Sequence, residues 1–142
     1  MFCSRRLTVS LIVLVLAGCS KDYTVTELPQ GEKNLRIIFK AYTQAAYRLG
    51  HSPKNVEELK PFLKDYGNPD ELLISPNDGK PYVIVPDANL KKGSSVLAFE
   101  REGKNGKRQY IALSSMTVQT ATEEEFAHLP IPSESKAAAD KR

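Results

Sequence analysis

The chain has almost no cysteine: of its 142 residues only Cys3 and Cys19 carry a thiol, the first inside an N-terminal segment with the marks of a signal and the second directly after it. The remainder has none to close a disulfide or build a cysteine zinc site, so its fold must be held by its core alone. Histidine is equally sparse. His51 and His128 lie toward opposite ends of the domain and make a poor two-histidine metal pair. No apolar run reaches the roughly 20 residues that span a bilayer, the longest being Leu7 to Leu16, broken by Thr8 and Ser10. An excess of positive charge is also missing. The formal +3 falls to about +1 once Arg5 and Arg6 leave with the targeting segment, which excludes the footprint of a nucleic-acid binder. Gly103 and Gly106 sit in a basic turn without the G-K-[ST] of a phosphate loop. Ser94-Ser95 and Ser114-Ser115 lie in no G-x-S-x-G elbow, and no histidine is placed to serve them as base. No internal repeat is visible.

What is present starts at the N-terminus. Arg5 and Arg6 precede the short apolar run, the order of a secretory signal, and the general secretory route suits it better than the twin-arginine one because the following run is strongly apolar. The run ends in Leu16-Ala17-Gly18-Cys19, which closely resembles the lipobox of bacterial lipoprotein precursors. That resemblance implies cleavage after residue 18, a thioether diacylglycerol on Cys19, and acylation of the new amino group. The alternative is ordinary secretory cleavage after Gly18 with a free thiol, for which the small-residue site is poor. Ser20 and Lys21 follow, with no aspartate beside the cysteine to resemble an inner-membrane retention signal, so an outer membrane is the favoured address. At about 0.8 kcal/mol per buried methylene, two or three chains anchor without protein contacts.

Residues 19–31, with Pro29 and Gly31 and no sustained apolar period, read as a lipidated tether. From Glu32 the pattern becomes helical: Leu35, Ile38, Phe39, Tyr42, Ala45, Ala46 and Leu49 share one face, and Gly50 ends it. Asn55 and Glu58 have the spacing of a capping box for a short second helix, with Val56, Leu59, Phe62 and Leu63 inward and Pro61 set to kink or split it. Gly67 to Asp70 break the chain. After the turn-rich Ser75 to Pro81, strands are predicted over Tyr82–Pro86, Val96–Glu100, Gln109–Ser114 and Met116–Gln119, with Arg101 to Arg108 as a polar hairpin turn. Thr122 and Glu125 have the capping-box spacing again and open a last helical turn through Phe126 and Leu129. Residues 131–142 are polar and low in bulky side chains and are predicted to be disordered. The expected fold of residues 32–130 is α+β, a long N-terminal helix and a short helix packed on a small antiparallel sheet of three or four strands.

This layout resembles the globular part of type II secretion pseudopilins, in which a long helix precedes a loop and a short antiparallel sheet. The resemblance rests on the helix end around Ala41 to Tyr47, on "LGHSPKNVEELKPFL" and on "ISPNDGKPYVIV", similar to a pseudopilin turn leading into the first strand. "VLAFE", the glycine-containing hairpin and "TATEEEFAHLP" are closer still to a group of small uncharacterised bacterial proteins with a pseudopilin-like domain. It spans roughly Leu35 to Pro130, on turn and packing residues rather than catalytic ones. Pseudopilins carry a long apolar helix after a leader-peptidase site, where this chain has a lipobox cysteine, so growth as an ordinary pilus subunit is not implied. Ser114-Ser115-Met116 stands where the relatives often have an Asp-Gly turn, so their loop geometry and any calcium site there are not implied either.

The remaining polar residues read as structural. Asp70, Glu71, Asp78 and Asp87 lack the one-three-five spacing of a calcium loop, and Asn77-Asp78-Gly79 reads as an Asx-type turn. His51 is placed near the end of the first helix and His128 on a solvated face. Glu123-Glu124-Glu125 suit a helix start better than a pair of catalytic carboxylates. Tyr42 and Tyr47 read as core or rim. The sequence therefore points to a non-catalytic, lipid-anchored envelope protein, with no cofactor, metal, nucleic acid or small-molecule substrate indicated. Its sites are the lipobox Leu16, Ala17, Gly18 and the lipidated Cys19, and its partners are the membrane and envelope or secretion-system proteins. The first alternative is an accessory part of a type II secretion or pilus-like assembly. A ligand-binding or hydrolytic enzyme comes last.

Overall fold

The computed structural model describes residues 27–89 and 95–140. The lipobox and Cys19 lie outside the described residues, as does Ser94.

Helix α1 runs Gln30–Leu49, two residues earlier than the apolar period begins, because Pro29 precedes it and Gln30 to Asn34 close a first turn over the domain. Its buried face is Leu35, Ile38, Ala41, Tyr42 and Ala45, the 3.6-residue stripe expected of a core-facing helix. Gly50 ends it in the left-handed region, φ 75°, and its N–H donates to Ala46 O, an ending glycine adopts without a Cβ clash. Leu49, expected inward, is exposed at the last turn. Helix α2, Val56–Leu63, is capped by Asn55, whose side chain accepts from the Glu58 N–H at 2.9 Å. The reciprocal bond of a capping box is displaced by one residue: Glu58 Oε2 accepts from the Lys54 N–H. The helix continues through Pro61 without splitting, and Leu59 and Leu63 are buried against α1. The expected break at Gly67 to Asp70 contains a one-turn helix, α3, Pro69–Leu72, with Asn68 as its cap and Pro69 at its first position, where no N–H is needed.

Four strands follow in the order β1 (Val83–Ile84), β2 (Val96–Phe99), β3 (Lys107–Ala112) and β4 (Val118–Thr122), each antiparallel to its neighbour in a simple meander. The β2–β3 turn at Lys104–Lys107 places Asn105 and Gly106 at φ 54° and 69°, the backbone of a two-residue hairpin loop whose twist matches its strands. β3 therefore starts earlier than predicted, and β4, paired from Lys107↔Thr122 to Ile111↔Val118, lies further along the chain.

All four residues of β2 are buried. Alternate side chains of a strand point to opposite faces, so both faces of the sheet are covered. Helix α1 packs on β2, β3 and β4, and the C-terminal segment supplies a second cover through α4 (Glu123–His128) and α5 (Ser133–Asp140). Phe126 of α4 seats on Phe99 of β2 with ring centroids 5.0 Å apart, and α5 lies against β1. Here the expectation of a disordered tail is corrected. Ile131 and Ser135 are buried, and an alanine-rich turn with high helix propensity completes the helix without bulky side chains of its own. The architecture is α+β, as the sequence order implies.

Candidate functional site

Among the described residues, polar side chains converge around Glu100 and in a groove beside α4. The first of these constellations surrounds Glu100, which directly follows β2 and is fully buried. Its Oε1 accepts from Ser75 Oγ at 2.8 Å and from Asn77 Nδ2 at 2.6 Å, and its Oε2 accepts from the Gln109 backbone N–H at 2.7 Å. A buried carboxylate is tolerated only when its lone pairs are occupied in this way. Beside it, Tyr82 donates to Gly31 O at 3.3 Å, joining the start of β1 to the start of α1. Burial, with the nearby Glu100 carboxylate as a smaller contribution, pushes the Tyr82 phenol well above its ordinary range.

Asp78 extends this connection outward. Its Oδ1 accepts from the Lys80 N–H at 2.9 Å, the expected Asx turn, while its Oδ2 accepts from the N–H groups of Glu102 and Gly103, both at 2.9 Å. The loop from Ser75 to Lys80 is thus fastened to the β2–β3 hairpin at two levels, one buried and one at the surface. Ser75 Oγ, Asn77 Nδ2 and the backbone N–H groups of Lys80, Glu102, Gly103 and Gln109 each face a carboxylate oxygen of Glu100 or Asp78.

The second constellation is a groove of about 480 Å³ between the hairpin stem, α4 and α5. Arg108 of β3 lies over the Phe126 ring, 4.7 Å from its centroid, and forks onto Glu123 through Nε and Nη2 at 2.8 and 2.7 Å. Its Nη1 donates to Arg101 O, so the guanidinium is fixed on two sides. Lys80 pairs with Glu102, and Lys136 Nζ donates to Ala127 O at 2.7 Å, at the carbonyl-rich end of α4.

The other residues weighed in the sequence are dispersed. His51 follows α1 with its ring against Ser52 O, and His128 is exposed at the end of α4. Asp70 pairs with Lys60, which also meets Glu57, and these two contacts hold the lysine above its ordinary range. Tyr42 is buried and donates to Ala88 O at 3.2 Å, whereas Tyr47 is exposed. Ser114 and Ser115 are on the surface of the β3–β4 turn. Thr122 and Glu125 form the full reciprocal capping box, with Thr122 Oγ1 accepting from the Glu125 N–H and Glu125 Oε2 accepting from the Thr122 N–H. Among the described residues, no group of three or more His, Cys, Asp or Glu is placed to hold a metal ion, and no helix is long and apolar enough to cross a membrane.

Sequence reasoning missed Glu100, which reads as the polar end of a strand, and missed the convergence of Arg101, Arg108 and Lys136. The available signal for the first was a carboxylate continuing the unbroken apolar run Val96 to Phe99. The chain matches no family model, no curated protein and no solved structure.

Proposed function

We propose that this chain is a non-catalytic lipoprotein of the bacterial cell envelope, held to a membrane through Cys19 and acting through contacts with other envelope proteins. The observation that carries this reading is the lipobox-like Leu16-Ala17-Gly18-Cys19 directly behind a short apolar signal. Ten residues, Ser20 to Pro29, separate Cys19 from the first residue of α1. Fully extended they reach about 35 Å, so an anchored domain would work within roughly its own diameter of the lipid surface. A lipid-anchored contact protein needs only a stable folded surface at that height, and the doubly covered sheet provides one. The outer membrane is the favoured address, given the residues after Cys19.

Intact mass of the membrane-extracted protein tests the anchor. The expected mass is that of a chain starting at Cys19 plus acyl groups, and Cys19→Ala should move the protein from the membrane pellet to the soluble fraction. An unmodified chain cut elsewhere, or a Cys19→Ala protein that still pellets, refutes the reading.

The second reading, an accessory part of a type II secretion or pilus-like assembly, draws on the order of a long helix followed by a four-stranded meander, with β4 as the terminal strand of the sheet. Co-purification of pseudopilins with the membrane-extracted protein supports it. Their absence from a cross-linked sample, with the anchor intact, removes it.

A further inference from the structure

The groove above Phe126 is built from four cations contributed by three parts of the chain: Lys80 before β1, Arg101 and Arg108 on the hairpin stem, and Lys136 on α5. Three anions, Glu102, Glu123 and Asp140, share its lining, which leaves a net charge of +1. Its volume of about 480 Å³ falls in the range of small-molecule sites, and its apolar lining is the buried Phe126, the half-buried Ala139 and the exposed Pro81 and Ala127.

The cations are held rather than consumed by their partners. Arg108 has five N–H groups, of which the bonds to Glu123 and Arg101 O engage three. Lys80 and Lys136 each have three, and the contacts with Glu102 and Ala127 O engage one apiece. Arg108 is less accessible than its partner Glu123, at 18% against 50%, so the acid sits toward the rim and the guanidinium toward the inside. Groups fixed before a ligand arrives lose little side-chain freedom on binding.

We propose that this groove binds a single carboxylate carried on a short apolar body, with the carboxylate between the Arg108 and Lys136 ends and the body on Phe126, Ala127 and Ala139. One negative charge matches the net lining charge. A doubly charged phosphate would place its second charge against Glu102, Glu123 and Asp140. Such a carboxylate is presented both by a free branched-chain acid and by the C-terminus of a peptide. The inference does not depend on the lipid anchor.

Calorimetric titration of the full chain, purified in detergent, tests it with N-acetyl-leucine as a peptide-terminus probe, 4-methylvalerate as a free-acid probe, and N-acetyl-leucinamide and inorganic phosphate as controls. Binding of an acid at sub-millimolar concentration is expected, with the amide and phosphate at least about tenfold weaker. If N-acetyl-leucine outranks 4-methylvalerate, the ligand is a peptide terminus; equal binding assigns a free acid. Lys136→Gln and Lys80→Gln, both at half-buried positions of the groove, should each weaken the acid by about fivefold or more while leaving the melting midpoint in place. Equal binding of acid and amide, no heat up to about 10 mM, or phosphate binding that neither substitution alters, which marks an adventitious ion only, overturns the proposal. A chain that loses its membrane anchor but still binds the acid would separate this result from the lipoprotein reading.

Discussion

Ser75 Oγ donates to Glu100 Oε1 across 2.8 Å between two side chains that are both fully buried, 25 residues apart in the chain. This bond and the one from Asn77 hold the loop that precedes β1 against the end of β2, where its hairpin with β3 begins. Glu100→Ala removes the shared acceptor and leaves the Ser75 hydroxyl, the Asn77 amide and the Gln109 N–H facing each other without it. The cost should be about 3–5 kcal/mol, the range for breaking a buried charged network from one side. Glu100→Gln keeps the shape but turns a donor toward donors, and should cost less than the alanine change yet more than about 1 kcal/mol. Urea titration of both variants checks the order. Two near-neutral substitutions would show that the network contributes nothing.

Tyr82, in the same cluster, should contribute to the alkaline limb of the stability profile. Its phenol, neutral and buried, ionises at a higher pH in the folded chain than the ordinary 10.0 of the unfolded one. A folded-state pKa raised above the unfolded value contributes stability that is whole below pH 10 and is lost as pH rises beyond it, because only the unfolded chain releases the proton. Tyr42 is shifted the same way, chiefly by its burial, and shares the window. The denaturation midpoint should fall steeply above pH 10, and Tyr82→Phe should flatten that fall while lowering stability at neutral pH by about 1 kcal/mol through loss of the bond to Gly31 O. An unchanged alkaline slope in Tyr82→Phe would assign the loss to other groups.

The local code of this chain was legible where its signals were local. The stripe from Leu35 to Ala45, the glycine stop at Gly50 and the Thr122–Glu125 capping box each depend on residues within a turn or two of one another, and each stands where the spacing puts it. Strand ends shifted because pairing fixes them: the Asn105-Gly106 turn sets the β2–β3 register, and β3 in turn carries β4 to Thr122. The polar constellations were not legible. Glu100 finds Ser75 and Asn77 more than 20 residues back, and Lys136 reaches the Arg108 groove only because α5 folds onto β1. Helix α5 was hidden for a further reason. Its alanines favour a helix but give no apolar stripe, and its cover of the sheet depends on Ile131 just before it.

The capping box of α4 gives the acid side of the stability profile a specific contributor. Hydrogen bonds from the Thr122 backbone N–H, and then from its hydroxyl, hold the Glu125 carboxyl below its ordinary 4.5. A depressed folded-state pKa contributes stability that is present above the unfolded value and is lost as pH falls below 4.5 through the folded value. Glu125→Gln should therefore shrink the difference in stability between pH 7 and acid conditions. Thr122→Ala should cost about 1 kcal/mol at neutral pH, the usual loss for an N-cap hydroxyl. Thermal melts across pH 3 to 7 check both, and an acid limb that is the same in Glu125→Gln and the parent chain contradicts the assignment.

Gly103 and Gly106 occupy the same left-handed backbone region, at φ 70° and 69°, yet a side chain would meet different surroundings at each. At Gly106 a Cβ reaches nothing within 4 Å, so Gly106→Ala carries only the conformational cost of the left-handed region, about 1 kcal/mol. At Gly103 the Cβ would lie 2.1 Å from Lys107 O and 2.9 Å from Arg108 Cα, both backbone atoms of the paired strand. The strand would have to move, and with it the Gly103 N–H bond to Asp78 and the start of β3 that carries Arg108. Gly103→Ala should thus cost at least about 2 kcal/mol more than Gly106→Ala, adding overpacking to the same backbone strain. Chemical denaturation of the two variants side by side checks this difference. The amide of Gly103 should also exchange faster in Gly106→Ala only if the turn itself opens. Equal destabilisation would mean that the hairpin relaxes around the new methyl group, and that the surface fastening through Asp78 does not hold the Ser75 to Lys80 loop against it.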